Sequence, residues 1–191
     1  MEKILLHSCC APCSVYCVDA LRRESLEPTS LWFNPNIHPW TEYELRRDAL
    51  LQYGALAGVE VRILEDYGLR GFVRAVAADI DRRCAHCYAL RLGAAAEYAA
   101  GHGYGAFTSS LLISPYQDHE LLRTVGEAAG RRYGVEFLYR DFRPGFREGQ
   151  SMAREMGLYL QKYCGCIFSE EDRYRKKIDR AKLRFAEEQR P

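Results

Sequence analysis

A run of cysteines near the beginning of the chain is the first feature whose residue types could do chemistry. Three cysteines fall within five positions of the segment His7–Val15, HSCCAPCSV, which follows the short apolar run Lys3–Leu6. Pro12 suits the first turn of a helix, so the cysteines should lie between a buried strand and a helix N-terminus. Free backbone N–H groups and the positive end of the helix dipole favour thiolates there. Such thiolates typically serve as metal ligands or as redox groups.

A second pair of cysteines is expected to share the site that this loop begins. Cys84 and Cys87 form a C-x-x-C at the start of a predicted helix, where one helical turn lets both sulfurs converge on one metal. Together with Cys9 and Cys10 they supply four thiolates, enough for tetrahedral zinc or for a four-iron cluster. Adjacent cysteines are unusual zinc ligands, which favours iron–sulfur chemistry but leaves zinc open.

A third pair, Cys164 and Cys166, flanks a single glycine. It could close a strained disulfide, which would be of the labile, redox-active kind. It could instead ligate a second metal with a carboxylate as third ligand, and Asp141 lies at the end of the last predicted strand. A strand-end cap or an ion pair with a neighbouring arginine is the alternative interpretation of Asp141.

Polar residues that follow the second predicted strand should reach the same edge of the sheet. Asn34 and Asn36 could hydrogen-bond to a ribose or a base edge, and His38 could donate a proton near neutral pH. Ordinary turn chemistry is the alternative, because N-P and H-P sequences favour loops.

Two further sets of side chains could line a substrate pocket there. Tyr43 and Arg47 are four residues apart, hence on one face of a helix. Ser114 and Gln117 follow the fourth predicted strand, where small polar groups commonly line a cleft.

Strand-like and helix-like segments alternate along the chain, which predicts an α/β protein with a parallel sheet covered on both faces. Thr41 and Glu44 have the spacing of a capping box, and Asp118 is a predicted N-cap. We expect one domain over residues 1–191, with residues 148–191 as a helical C-terminal extension. The predicted strands are Lys3–Ser8, Ser30–Asn34, Val59–Leu64, Ala106–Ile113 and Val135–Phe142. The predicted helices are Ser14–Glu24, Thr41–Ala57, Phe72–Ala77, Cys87–Ala100, Asp118–Tyr133, Glu148–Gln161 and Ser169–Phe185.

Composition narrows the class of protein. The 191 residues are 48% hydrophobic, with 27 Lys and Arg against 26 Asp and Glu, so a real core is expected and a polycation is excluded. No apolar run is long enough for a membrane span, and the first residues do not resemble a signal peptide. We therefore expect a cytoplasmic protein without a membrane partner, whose grouped cysteines stay reduced. The stretch Arg173–Arg184 is strongly basic, which indicates either a solvated helix face or a surface that binds RNA phosphates.

The motifs together resemble the QueH-type epoxyqueuosine reductase family. The resemblance runs through nearly the whole chain, in the order LHSCCAPCS, FNPNIHPWTEYELR, RCAHCYALRL, TSSLLISPYQ, YRDFR and LYLQKYCGCIFS. It implies a Rossmann-like, five-stranded parallel sheet related to the adenine-nucleotide α-hydrolase group. It also implies reduction of epoxyqueuosine to queuosine at the wobble position of tRNA, independent of cobalamin, with electrons from an external ferredoxin- or flavodoxin-like donor.

The resemblance further implies a 4Fe–4S cluster with Cys9, Cys10, Cys84 and Cys87 as ligands. It leaves Cys164 and Cys166 either as a redox-active disulfide or as ligands, with Asp141, of a second, mononuclear iron. Adjacent side chains on an extended backbone point to opposite sides, which would let Cys9 and Cys10 serve different metals.

Two rival functions follow from the same residues. A tRNA sulfur-transfer or adenylating enzyme of the same fold group would need a phosphate-binding S-G-G-x-D-S loop after the first strand, where this chain carries cysteines. A zinc-stabilised RNA-binding module would use the same thiols without redox chemistry.

Overall fold

The computed structural model describes residues 2–189, which form five strands and seven α-helices. The strands are β1 (Glu2–His7), β2 (Leu26–Trp32), β3 (Val61–Ile63), β4 (Ala106–Ser109) and β5 (Glu136–Phe137). The helices are α1 (Ala11–Arg23), α2 (Trp40–Ala57), α3 (Leu69–Val76), α4 (Arg83–Gly101), α5 (His119–Tyr133), α6 (Phe146–Glu155) and α7 (Ile167–Glu188). The strands are all parallel in the order β3–β2–β1–β4–β5, so the predicted five-stranded α/β sheet is confirmed.

The strand order reverses beside β1, and this places a crevice at the carboxyl edge of the sheet. The chain passes from β1 to β2 on one side, whereas β4 pairs with β1 on the other. Ligand sites in open parallel sheets lie at such a reversal, outside the carboxyl ends of the strands. The loop that carries Cys9 and Cys10 leaves β1 at this point.

His7, the last residue of β1, ties three strand ends together at that edge. Its Nδ1 lies 2.9 Å from Oγ of Ser109, the last residue of β4, and its Nε2 lies 3.2 Å from the carbonyl oxygen of Phe33, just after β2. Burial lowers the pKa of His7 to about 4. The imidazole is therefore neutral and forms a fixed link at neutral pH.

The start of α1 agrees with the prediction for the cysteine loop. Cys10 occupies the N-cap position with an extended backbone, and Pro12 lies in the first turn. The preceding strand residues Ile4, Leu5 and Leu6 are fully buried in the hydrophobic core, as expected for a central parallel strand with both faces covered.

Strands β4 and β5 are shorter than their apolar runs predict. Residues Ser110–Ile113 form a 3₁₀ turn and not the end of β4. The chain of β5 still donates from Leu138 N to Phe107 O at 2.8 Å, but it leaves the sheet soon after. The early end of β4 leaves a longer β5 without a hydrogen-bonding neighbour.

One predicted helix signal is wrong and one is confirmed. Helix α2 begins after Pro39 and has no side-chain cap, so the capping box expected from Thr41 and Glu44 does not form, because Thr41 already lies inside the helix. Asp118 caps α5 by accepting a hydrogen bond from the backbone N–H of Leu121.

The C-terminal region contains two helices, α6 and α7. They are separated by residues 156–166, the extended segment. The helix predicted to reach Gln161 ends at Glu155, because Gly157 adopts a left-handed backbone with φ of 66°. The following non-helical residues carry Cys164 to the carboxyl edge of the sheet before α7 begins. No helix within residues 2–189 is both long enough and apolar enough to cross a membrane.

The contact between α5 and β5 gives a stability test of this packing. A Cβ atom added to Gly126 would come within 2.4 Å of Phe137 Cε1. We therefore expect Gly126→Ala to lower the free energy of unfolding by about 1–3 kcal/mol, the usual cost of overpacking. Urea denaturation of the metal-free protein measures this change.

Gly93→Ala is the matched control, because a Cβ at Gly93 meets nothing within 4 Å. That substitution should raise the free energy of unfolding by up to about 1 kcal/mol through helix propensity. Equal effects of the two substitutions would contradict the described contact between α5 and β5.

Candidate metal centre

Three cysteine side chains lie close together at the junction of β1 and α1. The Sγ atoms of Cys9, Cys10 and Cys13 all lie within 4.8 Å of one another, and those of Cys9 and Cys10 are 3.7 Å apart. Thiolates about 2.3 Å from a tetrahedral ion would be separated by roughly 3.8 Å. The triad could therefore hold a metal. The expectation that Cys9 and Cys10 point to opposite sides is wrong, because the chain turns into α1 between them and Cys13.

The three thiols differ in their tendency to ionise. Hydrogen bonds from Cys10 and Cys13 hold the pKa of Cys9 well below its usual range, and Ser110 adds to this effect. The Ser110 hydroxyl donates to Cys9 Sγ at 3.3 Å and accepts from the Cys9 backbone N–H at 3.0 Å. Burial raises the pKa of Cys10. Cys9 is therefore the favoured thiolate of the triad.

The second cysteine pair lies on the first turn and a half of α4. Cys84 is exposed, whereas Cys87 is buried and its pKa is raised by burial to about 12. One turn later, Arg91 donates through Nη2 to Cys87 Sγ at 2.9 Å and through Nη1 to Asn34 Oδ1 at 3.3 Å. Asn34 in turn donates to the carbonyl oxygen of Ser8 at 2.9 Å. These contacts connect the α4 pair to the cysteine loop after β1.

The third pair lies between the extended segment and α7. Gln117 donates through Nε2 to Cys164 Sγ at 3.3 Å and accepts from the hydroxyl of Tyr88, beside Cys87, at 2.7 Å. Cys166 is the N-cap of α7, and its Sγ accepts from the backbone N–H of Ser169 at 3.4 Å. Burial raises the pKa of Cys84, and charges on Cys164 and Cys166 raise it further. The second and third pairs are thus close enough to interact electrostatically, and all eight cysteines are free thiols.

A buried arginine fixes the position of the third pair. Arg46 donates to the carbonyl oxygens of Cys164 at 2.8 Å and Tyr163 at 2.9 Å, and to the Glu42 carboxylate at 2.7 Å. The hydroxyl of Tyr159 donates to the other Glu42 oxygen at 2.6 Å. This network anchors the extended segment on α2.

A cavity of about 520 Å³ opens between the cysteine triad and the extended segment. Its floor includes Cys9 and Cys13, and one wall includes Cys164. The other residues that line it are Ser110, Leu111, Ser114, Tyr116, Gln117, Phe146, Gln150, Gln161, Lys162, Tyr163, Ser169, Asp172 and Arg173. The sequence-predicted Ser114 and Gln117 are therefore part of the cavity wall.

His38 is placed as a structural support. It is fully buried, its Nε2 lies 3.2 Å from the carbonyl oxygen of Pro35, and its Nδ1 accepts from the backbone N–H of Ile167 at 3.4 Å. Burial lowers its pKa to about 4. The backbone N–H of His38 also donates to Gly165 O at 2.8 Å. With both ring nitrogens engaged and the ring neutral, this geometry argues against the expected role as proton donor and indicates that His38 positions the third cysteine pair.

Asp141, Asn36, Tyr43 and Arg47 are not among the residues that line the cavity. The Asp141 carboxylate accepts two hydrogen bonds from the Arg143 guanidinium, which lowers its pKa to about 2. This is the ion-pair alternative stated above. Asp141 does not line the cavity and is outside the close cysteine triad, which is the only such group within residues 2–189.

The buried Tyr43 hydroxyl donates to Glu65, and Arg47 pairs with the same carboxylate. Asn36 is buried, and its Oδ1 has no hydrogen-bond partner among the described residues.

Sequence reasoning missed several residues that shape the centre. Arg91 could have been found, because it lies four residues after Cys87 and hence on the same helix face. The sequence places Cys13 in the first cysteine run, but the resemblance gives it no ligand role. Arg46 and Gln161 carried no sequence signal, because their contacts join segments more than 100 residues apart.

The fold and the site define a parallel α/β protein with a thiol-rich cavity at the carboxyl edge of its sheet. The family model described as epoxyqueuosine reductase QueH matches residues 4–172. Two curated relatives carry the same description: one from Dehalococcoides mccartyi is 39% identical over 174 residues, covering 91% of this chain and 96% of the relative. One from Thermotoga maritima is 30% identical over 200 residues, covering 96% and 98%. The chain belongs to the epoxyqueuosine reductase QueH family.

A solved structure shares the fold at much lower sequence similarity. It is described as a predicted subunit of tRNA methyltransferase from Methanocaldococcus jannaschii, with a TM-score of 0.53 and 13% identity. The match covers 81% of this chain and 76% of that one. At this identity the likeness concerns the fold alone.

The exposure of the thiols predicts how they react when the protein is free of metal. Cys84 and Cys164 are exposed, whereas the other six cysteines are buried. We expect Cys84 and Cys164 to react rapidly with a disulfide reagent such as dithionitrobenzoate, and Cys9 and Cys13 more slowly through the cavity that they line. The other four should react only as the protein opens.

The assignment is checked with single serine variants of the reduced protein. Cys164→Ser should remove one rapidly reacting thiol, whereas Cys17→Ser, in the core of α1, should leave both. A rapid phase of four or more thiols would contradict the described burial.

Proposed function

We propose that this chain reduces the epoxide of epoxyqueuosine, at the wobble position of a tRNA anticodon, to the alkene of queuosine. The thiol-lined cavity carries the proposal, because it joins a space of about 520 Å³ to reducing groups on its floor and wall. The reaction consumes two electrons and two protons, and the epoxide oxygen leaves as water. Family membership supports the same reaction.

The proposed cofactor is a 4Fe–4S cluster held by Cys9, Cys10, Cys84 and Cys87. Thiolate sulfur is the ligand that such clusters take, and the low pKa of Cys9 favours its ligating form. The donor set has the chemistry of the group, since Cys9 and Cys10 belong to the buried triad that could hold metal. Arg91 hydrogen-bonds to Cys87 and, through Asn34, is linked to the Ser8 carbonyl beside Cys9. When bound, such a cluster supplies electrons one at a time.

Cys164 and Cys166 are proposed as the second redox unit. Two thiols that form one disulfide release two electrons and two protons, which balances the loss of the epoxide oxygen as water. The pairing of Asp141 with Arg143 favours this alternative over a second mononuclear iron, because it leaves the cysteine pair without the carboxylate ligand. An external ferredoxin- or flavodoxin-like protein is the proposed electron donor, since the chain has no flavin or nicotinamide fingerprint.

Gln117 and Ser114 are proposed to orient the modified base beside Cys164. The Gln117 side chain is fixed by Tyr88 at its oxygen, and its amide nitrogen lies 3.3 Å from Cys164 Sγ. A substrate positioned against this amide would therefore meet the thiol directly. Lys162 lines the same cavity and is exposed, which makes it the proposed donor of a proton to the leaving oxygen.

The mouth of the cavity has the composition of a single-stranded RNA site. Tyr116 is 84% exposed and lies edge-on to Phe146, so its face is free to stack on an unpaired base. Lys162 and Arg173 supply positive charge at the same cavity, while the Asp172 carboxylate is paired with Arg83. We propose that the tRNA anticodon loop binds here, and that the protein acts in the cytoplasm, where its thiols stay reduced.

The activity is tested in a strain that accumulates epoxyqueuosine, by mass spectrometry of tRNA nucleosides. Expression of this chain should replace epoxyqueuosine by queuosine. The anaerobically purified protein should be brown, with a broad absorption that dithionite bleaches. Cys84→Ser should lose both colour and activity, whereas Cys164→Ser should keep the colour and lose the activity.

Cys17→Ser is the matched control and should retain both properties, because Cys17 is buried in α1 and is not a proposed ligand. Unchanged epoxyqueuosine after expression would overturn the proposed reaction. A colourless, zinc-loaded protein would favour a zinc-stabilised RNA-binding module.

The proposed RNA surface predicts a salt-dependent change in affinity. Replacing both Lys162 and Arg173 by alanine should weaken tRNA binding and reduce the slope of log K against log salt by about 1–2, since each neutralised phosphate contributes up to about 1. Fluorescence anisotropy at several salt concentrations measures this slope.

Arg131→Ala is the matched control, because Arg131 lies in the last turn of α5, away from the cavity. Its slope should equal that of the parent protein. An equal loss from Arg131→Ala and from the double variant would contradict the proposed RNA surface.

A further inference from the structure

Two arginines in the described part of the chain are almost completely buried, and they differ in how their charge is neutralised. Arg46 and Arg91 are each 1% exposed. Arg46 forms an ion pair with Glu42 at 2.7 Å. Arg91 has no carboxylate within ion-pair distance among residues 2–189, and its Nε has no hydrogen-bond partner there. A buried cation without an anion costs much free energy, so the surroundings of Arg91 must supply negative charge.

Sulfur is the available source of that charge. Arg91 Nη2 lies 2.9 Å from Cys87 Sγ, a proposed ligand that is an anion when it binds metal. The other end of the guanidinium is fixed by Asn34, whose amide also binds the carbonyl oxygen of Ser8 next to Cys9. Arg91 is thus hydrogen-bonded toward both segments that carry the proposed ligands.

We propose that Arg91 is a positioning residue whose charge compensates the negative thiolate centre and makes that centre easier to reduce. The inference rests on the proposed function, in which these thiolates hold an iron–sulfur cluster. A cluster with four thiolate ligands is an anion, and each added electron increases its negative charge. A cation hydrogen-bonded to a ligating sulfur therefore stabilises the reduced form more than the oxidised form.

The test is a redox titration of the anaerobically loaded protein, followed by its visible absorbance and by electron paramagnetic resonance. Arg91→Met removes the charge and keeps the length of the side chain, so its midpoint potential should shift to more negative values. Arg91→Lys keeps the charge and should lie between Arg91→Met and the parent. Arg123→Met, at an exposed arginine paired with Glu127, should have the parental potential.

Thermal unfolding separates charge compensation from a purely structural role. In the metal-free protein the thiols can take up protons and leave the buried charge of Arg91 uncompensated, so Arg91→Met should not lower the melting temperature of this form. In the cluster-loaded protein, Arg91→Met should lower the melting temperature markedly. An equal loss in both forms, or a parental midpoint potential in Arg91→Met, would overturn the proposal.

A second variant covers the case in which Arg91→Met does not fold. Arg91→Gln keeps an N–H donor without the charge, and it should give the same negative shift relative to Arg91→Lys. Equal potentials of the glutamine and lysine variants would overturn the assignment.

Mass spectrometry of the tRNA nucleosides detects a failure of the proposed function independently of the redox titration. A protein whose potential depends on Arg91 but which leaves epoxyqueuosine unreduced would overturn the reaction and support the charge assignment. A parent protein that takes up no iron would overturn both.

Discussion

The meeting of three distant thiol segments at one edge of the sheet is the constraint on which the rest of the structure depends. Parallel strands bring the loops after β1, β2 and β4 to the same edge, and the neutral His7 ties these strand ends together. Because its pKa is about 4, this link does not change charge near neutral pH. The start of the cysteine loop is therefore fixed. Helix α4 and the extended segment before α7 are held in position against this loop.

Buried polar groups provide that anchoring through hydrogen bonds, which offset the cost of burying them. Arg46, which is paired with Glu42, holds the carbonyl oxygens of Cys164 and Tyr163. His38 holds the carbonyl of Gly165, and Asn34 joins Arg91 to the loop after β1. Several of these residues resemble catalytic groups in the sequence. Their hydrogen bonds in the structure hold the cysteine segments in place, which would limit reorganisation at a redox centre.

The sequence predicted the sheet, most helices and the three cysteine groups, because these follow from local periodicity and from residue type. It failed where a contact between distant segments decides the outcome. The short β4 ends β5 early, and Gly157 ends α6 and frees the segment that carries Cys164. The roles of His38 and Tyr43 could not be predicted for the same reason. Their burial and partners depend on Ile167 and Glu65, which no local pattern relates to them.

The cysteine sulfurs differ in their exposure to solvent, so the centre has a buried side and an exposed side. The triad and Cys87 are buried, so charge held there is shielded from water and is sensitive to nearby cations such as Arg91. Cys84 and Cys164 are exposed, and Cys164 lines the cavity. Cys166 joins the two sides, since its sulfur caps the basic helix α7 while its neighbour Gly165 binds His38. The bonding of that sulfur is therefore connected directly to the helix whose first turns border the proposed RNA site.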